Sequence, residues 1–264
     1  PLGVRRRVVE RQIQAAFPEY GEAEVARIAR GAYEHLGRVT AEATLLPALG
    51  REKILGLFEG AEGWQNVDLA MRAGRGLILV GGHLGNWEAA GAYLAARGIP
   101  IDVVARRMSN PLFDRYLNAT RERMGMTVIY DREAVRRTAR SVREGRAVAF
   151  LADQGVKHLA STYVPFFGRP AKTPRGPALF ALRWDIPLIF GTALRQAGGK
   201  YRLILEAVQV ERTGDRDADV DRVVARFTEI LERYVRVAPE QYFWHHRRWR
   251  RQEKPGPTGQ PGTP

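Results

Sequence analysis

The chain has 264 residues, 45% of them hydrophobic and 27% charged. These are ordinary proportions for a globular chain of one large domain or two small ones, and they exclude disorder as the overall state. Its 42 Lys+Arg against 29 Asp+Glu leave a formal charge of +13, which attracts polyanions: nucleic acid, anionic lipid headgroups or acidic carrier proteins. The lack of cysteine excludes a disulfide framework, a thiolate zinc site and a Cys nucleophile.

No stretch reaches the roughly 18 to 20 consecutive apolar residues of a membrane-spanning helix. The first residue is Pro1 rather than Met, which leaves room for an upstream signal or anchor segment.

In chain order, the first fifty residues read as helical, broken at Phe17-Pro18. Val25, Ile28, Ala29, Ala32, Leu36 and Val39 recur at the helical period, with Arg27, Arg30 and Arg38 on the remaining surface. The run Arg5-Arg6-Arg7 reads as a solvated face or a contact for anionic lipid. After residue 70, short apolar runs alternate with helical stretches, the pattern of βα units around a largely parallel sheet. Strands are expected over 76–80, 101–105, 127–130, 147–152, 186–194 and 201–210. Helices are expected over 87–96, 111–124, 132–144, 174–184 and 217–236. Asn110 is placed to cap its helix, and Pro111 suits the first helical position because its missing N–H has no partner to lose. The last twelve residues hold four Pro and three Gly and read as a disordered tail.

Residues 75–92 carry the chemistry. A buried strand runs into a glycine-rich turn, Gly81-Gly82-His83-Leu84-Gly85-Asn86, and then into a helix beginning near Trp87-Glu88. Ligands bind at such carboxyl ends of strands in α/β sheets. Positions five apart sit about 140° around a helix, so His83 and Glu88 meet only if His83 lies in the loop and Glu88 in the first helical turn. Asn86 is placed to cap that turn. In this geometry Glu88 accepts a hydrogen bond from one ring nitrogen of His83, fixes the tautomer and leaves the other nitrogen as a base. The crowded glycines suggest close backbone approach to a ligand. A loop histidine bonded to backbone remains the plain alternative, and the run is not a dinucleotide-binding G-x-G-x-x-G.

Gly82-His83-Leu84-Gly85-Asn86-Trp87-Glu88 resembles the H-x4-D/E block of glycerolipid acyltransferases, in the G-H-x-G-N-W-E form of the bacterial lipid A biosynthesis (lauroyl/myristoyl) branch. Arg106, Asn110-Pro111, Asp114, Arg121 and Gly125 match that branch's R…N-P…D…R…G stretch, and Asp153-Gln154 its D-Q. Val164-Pro165-Phe166-Phe167-Gly168 with Ala171, Thr173 and Gly176 resembles V-x-F-F-G-x-x-A-x-T-x-x-G. Pro239-Glu240-Gln241-Tyr242-Phe243-Trp244 with Arg247, Arg248 and Trp249 resembles the family's terminal block. The blocks follow family order from about Phe17-Pro18-Glu19 to Arg250. The chain departs from the pattern in lacking the hydrophobic N-terminal anchor helix, and in having Gln12-Ile13 where an Asn-Leu pair is usual.

The resemblance implies transfer of a fatty acyl chain from an acyl carrier protein or coenzyme A thioester to a hydroxyl of a membrane glycolipid, a lipid A precursor. A related branch acylates mannosylated phosphatidylinositol. His83 would be the general base and Glu88 its orienting partner. Arg121 and Asp153 would position substrate or stabilise charge, and Gly85, Asn86, Arg106, Gly168 and Thr173 would contribute to substrate binding. No metal or bound cofactor is implied.

Other residues have readings of their own. Asp153 and His158, five apart, would extend His83 and Glu88 into a metal site, although a metallohydrolase wants further second-shell support; Asp153 alone reads as a strand-end cap. Phe166-Phe167-Gly168 reads as a buried turn or a wall of an acyl groove. The alternation of aromatics and cations from Trp244 to Arg251 suits a lipid–water interface or a glycolipid phosphate better than nucleic acid; a C-terminal helix or turn with Arg–carboxylate pairs is the simpler reading.

The expectation is therefore an α/β fold with a mostly parallel central sheet flanked by helices. Residues 1–252 form one acyltransferase domain, with 1–60 a helical N-terminal part and 253–264 a tail. The chain is expected to work peripherally at the cytoplasmic face of a bacterial inner membrane. A basic lipid- or polyanion-binding protein, and a hydrolase using water as acceptor, are the competing readings.

Overall fold

The computed structural model describes residues 5–155 and 159–249. The N-terminal helices are α1 (Arg6–Ala16) and α2 (Glu22–Leu45). They are separated at Phe17-Pro18, where the Pro ring cannot continue a helix. After α3 (Arg51–Gly56) the chain enters a first strand, β1 (Phe58–Glu62), and then α4 (Trp64–Arg72). β1 begins at the end of the stretch 1–60 read as helical and runs past it. Its residues Phe58-Glu59-Gly60-Ala61-Glu62 carry little hydrophobic alternation, and tertiary pairing to a distant strand overrides local propensity.

From there the expected alternation unfolds: β2 (Leu77–Gly81), α5 (Trp87–Ala96), β3 (Ile101–Ala105), α6 (Pro111–Arg123), β4 (Met126–Tyr130), α7 (Ala134–Arg143) and β5 (Ala147–Leu151). A hairpin follows, β6 (Ser161–Phe166) and β7 (Arg169–Pro174), and then α8 (Gly176–Trp184), β8 (Leu188–Arg195), β9 (Tyr201–Ala207) and α9 (Arg216–Val237). The expected elements return with ends shifted by at most three residues, and those over 87–96 and 101–105 with none. The helix expected from 174 begins at Gly176 because residues up to Pro174 belong to the hairpin. That hairpin was not expected as strands, since Pro165, Pro170 and Pro174 interrupt its pattern.

The large sheet has strand order β1-β9-β8-β2-β5-β3-β4. All its pairings are parallel except β8–β9. β2 lies at the centre and all five of its residues are buried, as a strand covered on both faces requires. Its side chains alternate between two cores. Ile78 and Val80 pack with α1, α2, α8 and α9, and Leu77 and Leu79 pack with α3, α4 and α5. Among the described residues no helix is long and apolar enough to cross a membrane.

Candidate active site

β2 and β5 are parallel and in register, with Gly81 opposite Leu151. Each chain therefore leaves the sheet at the same level, and the residue two beyond each strand end stands beside its counterpart. These residues are His83 and Asp153. His83 Nδ1 donates to Asp153 Oδ1 at 2.7 Å, and the His83 backbone N–H donates to Oδ2 at 3.0 Å. The second contact of Nδ1, Gln154 Nε2 at 3.2 Å, is longer, so the tautomer assigned by the network carries its proton on Nδ1. Nε2 is then the basic nitrogen.

Asp153 is buried while the His83 side chain is 22% exposed. Burial alone would push the Asp153 carboxyl up. The charge and two hydrogen bonds of His83, helped by Arg248, outweigh it and hold the group down at about 2.

The pairing expected from the sequence is corrected here. Asn86 caps α5 by accepting the Ala89 N–H at 2.9 Å, which puts Glu88 in the first helical turn and His83 in the loop as anticipated. The Glu88 carboxylate, however, is taken by Arg121. Nε reaches Oε2 at 3.0 Å and Nη2 reaches Oε1 at 2.5 Å, with both side chains mostly buried. A bidentate guanidinium fork is the stronger partner for a carboxylate, and α6 delivers it. Trp87 Nε1 also donates to Glu88 Oε1 at 3.2 Å.

The glycine reading changes as well. Gly85 has φ +62, and a Cβ there would lie 2.0 Å from the Ala193 carbonyl oxygen. The approach the glycine permits is to β8. His35 of α2 meets the Gly85 carbonyl oxygen at 3.0 Å from the other side. At Gly82 a Cβ would meet Leu231 at 2.8 Å. Asn86 is fully buried; besides capping, its amide donates to Glu42 at 2.7 Å and to the Tyr201 hydroxyl at 2.9 Å. The glycines and Asn86 thus clamp the His83 loop against the protein itself.

The remaining expected residues separate. Arg106 is exposed just beyond β3, on the same sheet edge as His83. Thr173 is fully buried and accepts from Arg248 Nη2 at 2.6 Å. Gly168 is at the tip of the β6–β7 hairpin, where Phe167 (φ 52) and Gly168 (φ 67) form the turn. Phe166 and Phe167 are buried in the core, the turn reading rather than a groove wall. His158 lies outside the described residues. Among the described residues no group of three or more His, Cys, Asp or Glu side chains could hold a metal ion.

The C-terminal block is corrected most. Trp244, Trp249, His245 and Arg248 are buried rather than displayed to lipid, while Arg250 and Arg251 lie outside the described residues. The block folds back on the His83 loop: Phe243 N–H donates to the His83 carbonyl at 2.9 Å, and Gly85 N–H donates to that of Gln241 at 3.0 Å. Arg248 donates to the Lys172 carbonyl at 2.5 Å and stacks over Phe166. Burial pulls its guanidinium down, opposed by Tyr242 and Asp153, and burial beside Asp153 pushes the Tyr242 phenol well up. Tyr242 and Arg248 are site neighbours that sequence reasoning missed.

A cavity of about 100 Å³ opens beneath the loop. Gly82, Leu84, Trp87 and the Glu88–Arg121 pair line it, and Leu79, Gly91, Leu94, Ile101, Val103 and Met126 are among its apolar walls. His83 is not a lining residue. It meets the cavity through Trp87, whose ring stands edge-on to the imidazole with centroids 4.9 Å apart.

Comparisons with known proteins bear on the family of the whole chain. The chain is 26% identical over 248 residues to the lipid A biosynthesis lauroyltransferase of Escherichia coli K12, covering 93% of this chain and 79% of that one. It is 25% identical, with the same coverage, to the palmitoleoyltransferase of the same organism. It is 29% identical to a Mycobacterium tuberculosis phosphatidylinositol mannoside acyltransferase, over 59% of this chain and 51% of that relative. Residues 2–251, nearly the whole length, match a single family: the chain belongs to the bacterial lipid A biosynthesis acyltransferases and is an acyltransferase.

Proposed function

We propose that the protein transfers a fatty acyl chain from a carrier-protein or coenzyme A thioester to a sugar hydroxyl of a membrane glycolipid, with a lipid A precursor the favoured acceptor. The observation that carries this reading is the His83–Asp153 pair beside the apolar cavity. A lipid A acceptor is preferred over mannosylated phosphatidylinositol because similarity to the lipid A enzymes extends over 93% of the chain, against 59% for the mannoside enzyme.

In the proposed mechanism, His83 Nε2 takes the proton of the acceptor hydroxyl as its oxygen attacks the thioester carbonyl. Buried Asp153 fixes the ring and stabilises the imidazolium that forms. The tetrahedral intermediate collapses with loss of the thiolate, which takes the proton back from His83. The products are an ester and a free thiol. Glu88 and Arg121, neutralised by each other, line the cavity and tie the N-terminal turn of α5 to α6. The acyl tail enters the cavity. At about 100 Å³ it is smaller than the roughly 300–1,000 Å³ of drug-sized sites, so a long tail widens it by displacing Met126 or runs out along the surface.

The test incubates the purified chain with acyl-carrier and coenzyme A thioesters and a lipid A precursor in mixed micelles, following acceptor mass. Gain of one acyl unit that is lost in His83→Ala supports the reading. Thioester consumed with only free fatty acid formed would favour a hydrolase or a different acceptor, and salt-sensitive lipid binding without turnover of any thioester would favour the binding-protein reading.

A further inference from the structure

α6 begins where β3 leaves the sheet, on the edge that carries His83 and Asp153. Its Arg121 grips Glu88, and both line the cavity. Leu112, Phe113 and Tyr116 precede Arg121 by five to nine residues, so at 1.5 Å per residue they stand roughly 8 to 14 Å further out along the helix. They fall within about 100° of arc on one helix face. Leu112 is 68% exposed, Phe113 41% and Tyr116 44%, and Met108 in the preceding loop is 43% exposed.

Single exposed apolar side chains need no explanation, but four within nine residues on one projection do. Arg106, Arg107 and Arg115 are exposed around them. The one acidic residue of this stretch, Asp114, is buried and turned inward, accepting the Met108 N–H at 3.0 Å and the Tyr130 hydroxyl at 3.0 Å. The exposed charged residues of the stretch 106–116 are therefore all positive and flank its apolar and aromatic side chains.

We propose that this projection, the 106–108 loop and the first two turns of α6, inserts into the headgroup region of an anionic bilayer and sets the His83 edge of the sheet against the lipid surface. Arginines reach phosphates while Leu112, Phe113 and Tyr116 enter the acyl boundary, the division of labour of an interfacial helix. Exposed apolar and aromatic side chains flanked by arginines suit an anionic lipid surface, where the arginines meet phosphates and the apolar side chains leave water, better than the charged face of an acidic carrier protein, which would leave the apolar side chains unmatched. The surface rests on the acyl-transfer reading only for its purpose, which is to bring a lipid-anchored hydroxyl to His83.

The experiment measures sedimentation of the full chain with phosphatidylglycerol–phosphatidylcholine vesicles and with phosphatidylcholine alone. The combined variant Leu112→Gln, Phe113→Gln, Tyr116→Gln keeps helix-forming residues at exposed positions and is expected to bind about tenfold or more weakly. Arg106→Gln with Arg115→Gln is expected to lose roughly fivefold per arginine on anionic vesicles and little on neutral ones. Leu69→Gln, 74% exposed on α4, should bind like the parent.

Because the chain has no cysteine, Phe113→Cys can carry an environment-sensitive dye. A blue shift on anionic vesicles, absent at Leu69→Cys, reports insertion without loss of the surface. The proposal is overturned if the triple variant binds vesicles like the parent, if Leu69→Gln costs as much, or if the dye at 113 does not respond. Unchanged vesicle binding with loss of turnover on carrier-protein thioesters alone would make the surface a carrier dock. Thioester turnover by the parent is scored separately, so its absence counts against the acyl-transfer reading and leaves the vesicle result to decide the surface.

Discussion

The carboxylate that orients His83 belongs to Asp153, 70 residues further along the chain, with Oδ1 2.7 Å from Nδ1. The glutamate five residues from the histidine turns instead to Arg121. These two pairs have different jobs and should fail differently.

Asp153→Asn keeps the shape but no longer selects the Nδ1–H tautomer or balances the imidazolium. Turnover should fall by about 10²- to 10⁴-fold, with KM for donor and acceptor little changed. Steady-state kinetics on both substrates test this, and near-parental turnover would remove Asp153 from the relay.

Glu88→Gln leaves Arg121 buried without its counter-charge, at a cost of about 3–5 kcal/mol. In urea unfolding it should be strongly destabilised, and the double variant with Arg121→Gln should recover part of that loss. If Glu88→Gln were as stable as the parent yet reproduced the kinetic defect of Asp153→Asn, the His83–Glu88 pairing expected from sequence would return.

The low value of Asp153 has a pH signature. Its carboxyl titrates at about 2 in the folded protein against an ordinary 3.8, so the fold binds this proton less readily than the unfolded chain. The resulting stability, about 2 kcal/mol, is fully present above pH 4 and is lost as pH falls from about 4 towards 2. Unfolding free energies of parent and Asp153→Asn should therefore converge across that window. Parallel curves would contradict it.

Gly85 and Gly168 both have positive φ, yet substitution should separate them. Gly85→Ala meets the Ala193 carbonyl at 2.0 Å as well as a backbone penalty, whereas a Cβ at Gly168 meets nothing within 4 Å. Gly168→Ala should cost roughly 1–2 kcal/mol, and Gly85→Ala clearly more. The second should also lower turnover by shifting the His83 loop, which thermal unfolding alongside activity assays will separate from simple instability.

At Gly91 of α5 a Cβ would lie 2.5 Å from the Met126 sulfur, inside the cavity wall. Gly91→Leu should fill the cavity and move acyl preference towards shorter chains. Competition between thioesters of different length, read by product mass, checks this; an unchanged product distribution would mean that the tail lies elsewhere.

What the sequence determined by itself was everything carried by neighbouring residues. The Asn86 and Asn110 caps, Pro111 at a helix start, the 3.6-residue period of α2 and the apolar runs of β2, β3 and β5 depend on contacts a few residues apart, so the order of elements and the position of His83 in a loop could be read from it. The family blocks carried the reaction class. Tertiary structure decided the partners. Asp153 reaches His83 because β2 and β5 lie side by side in register, and no local pattern encodes which strand neighbours which. The same holds for β1, whose pairing is with β9, and for Gly85, pressed on β8 rather than on a ligand. Trp244 and Arg248 looked like a lipid-facing surface because aromatic and basic residues suit both an interface and a buried, hydrogen-bonded lining. Only the fold, by wrapping the C-terminal segment over the His83 loop, removed them from water.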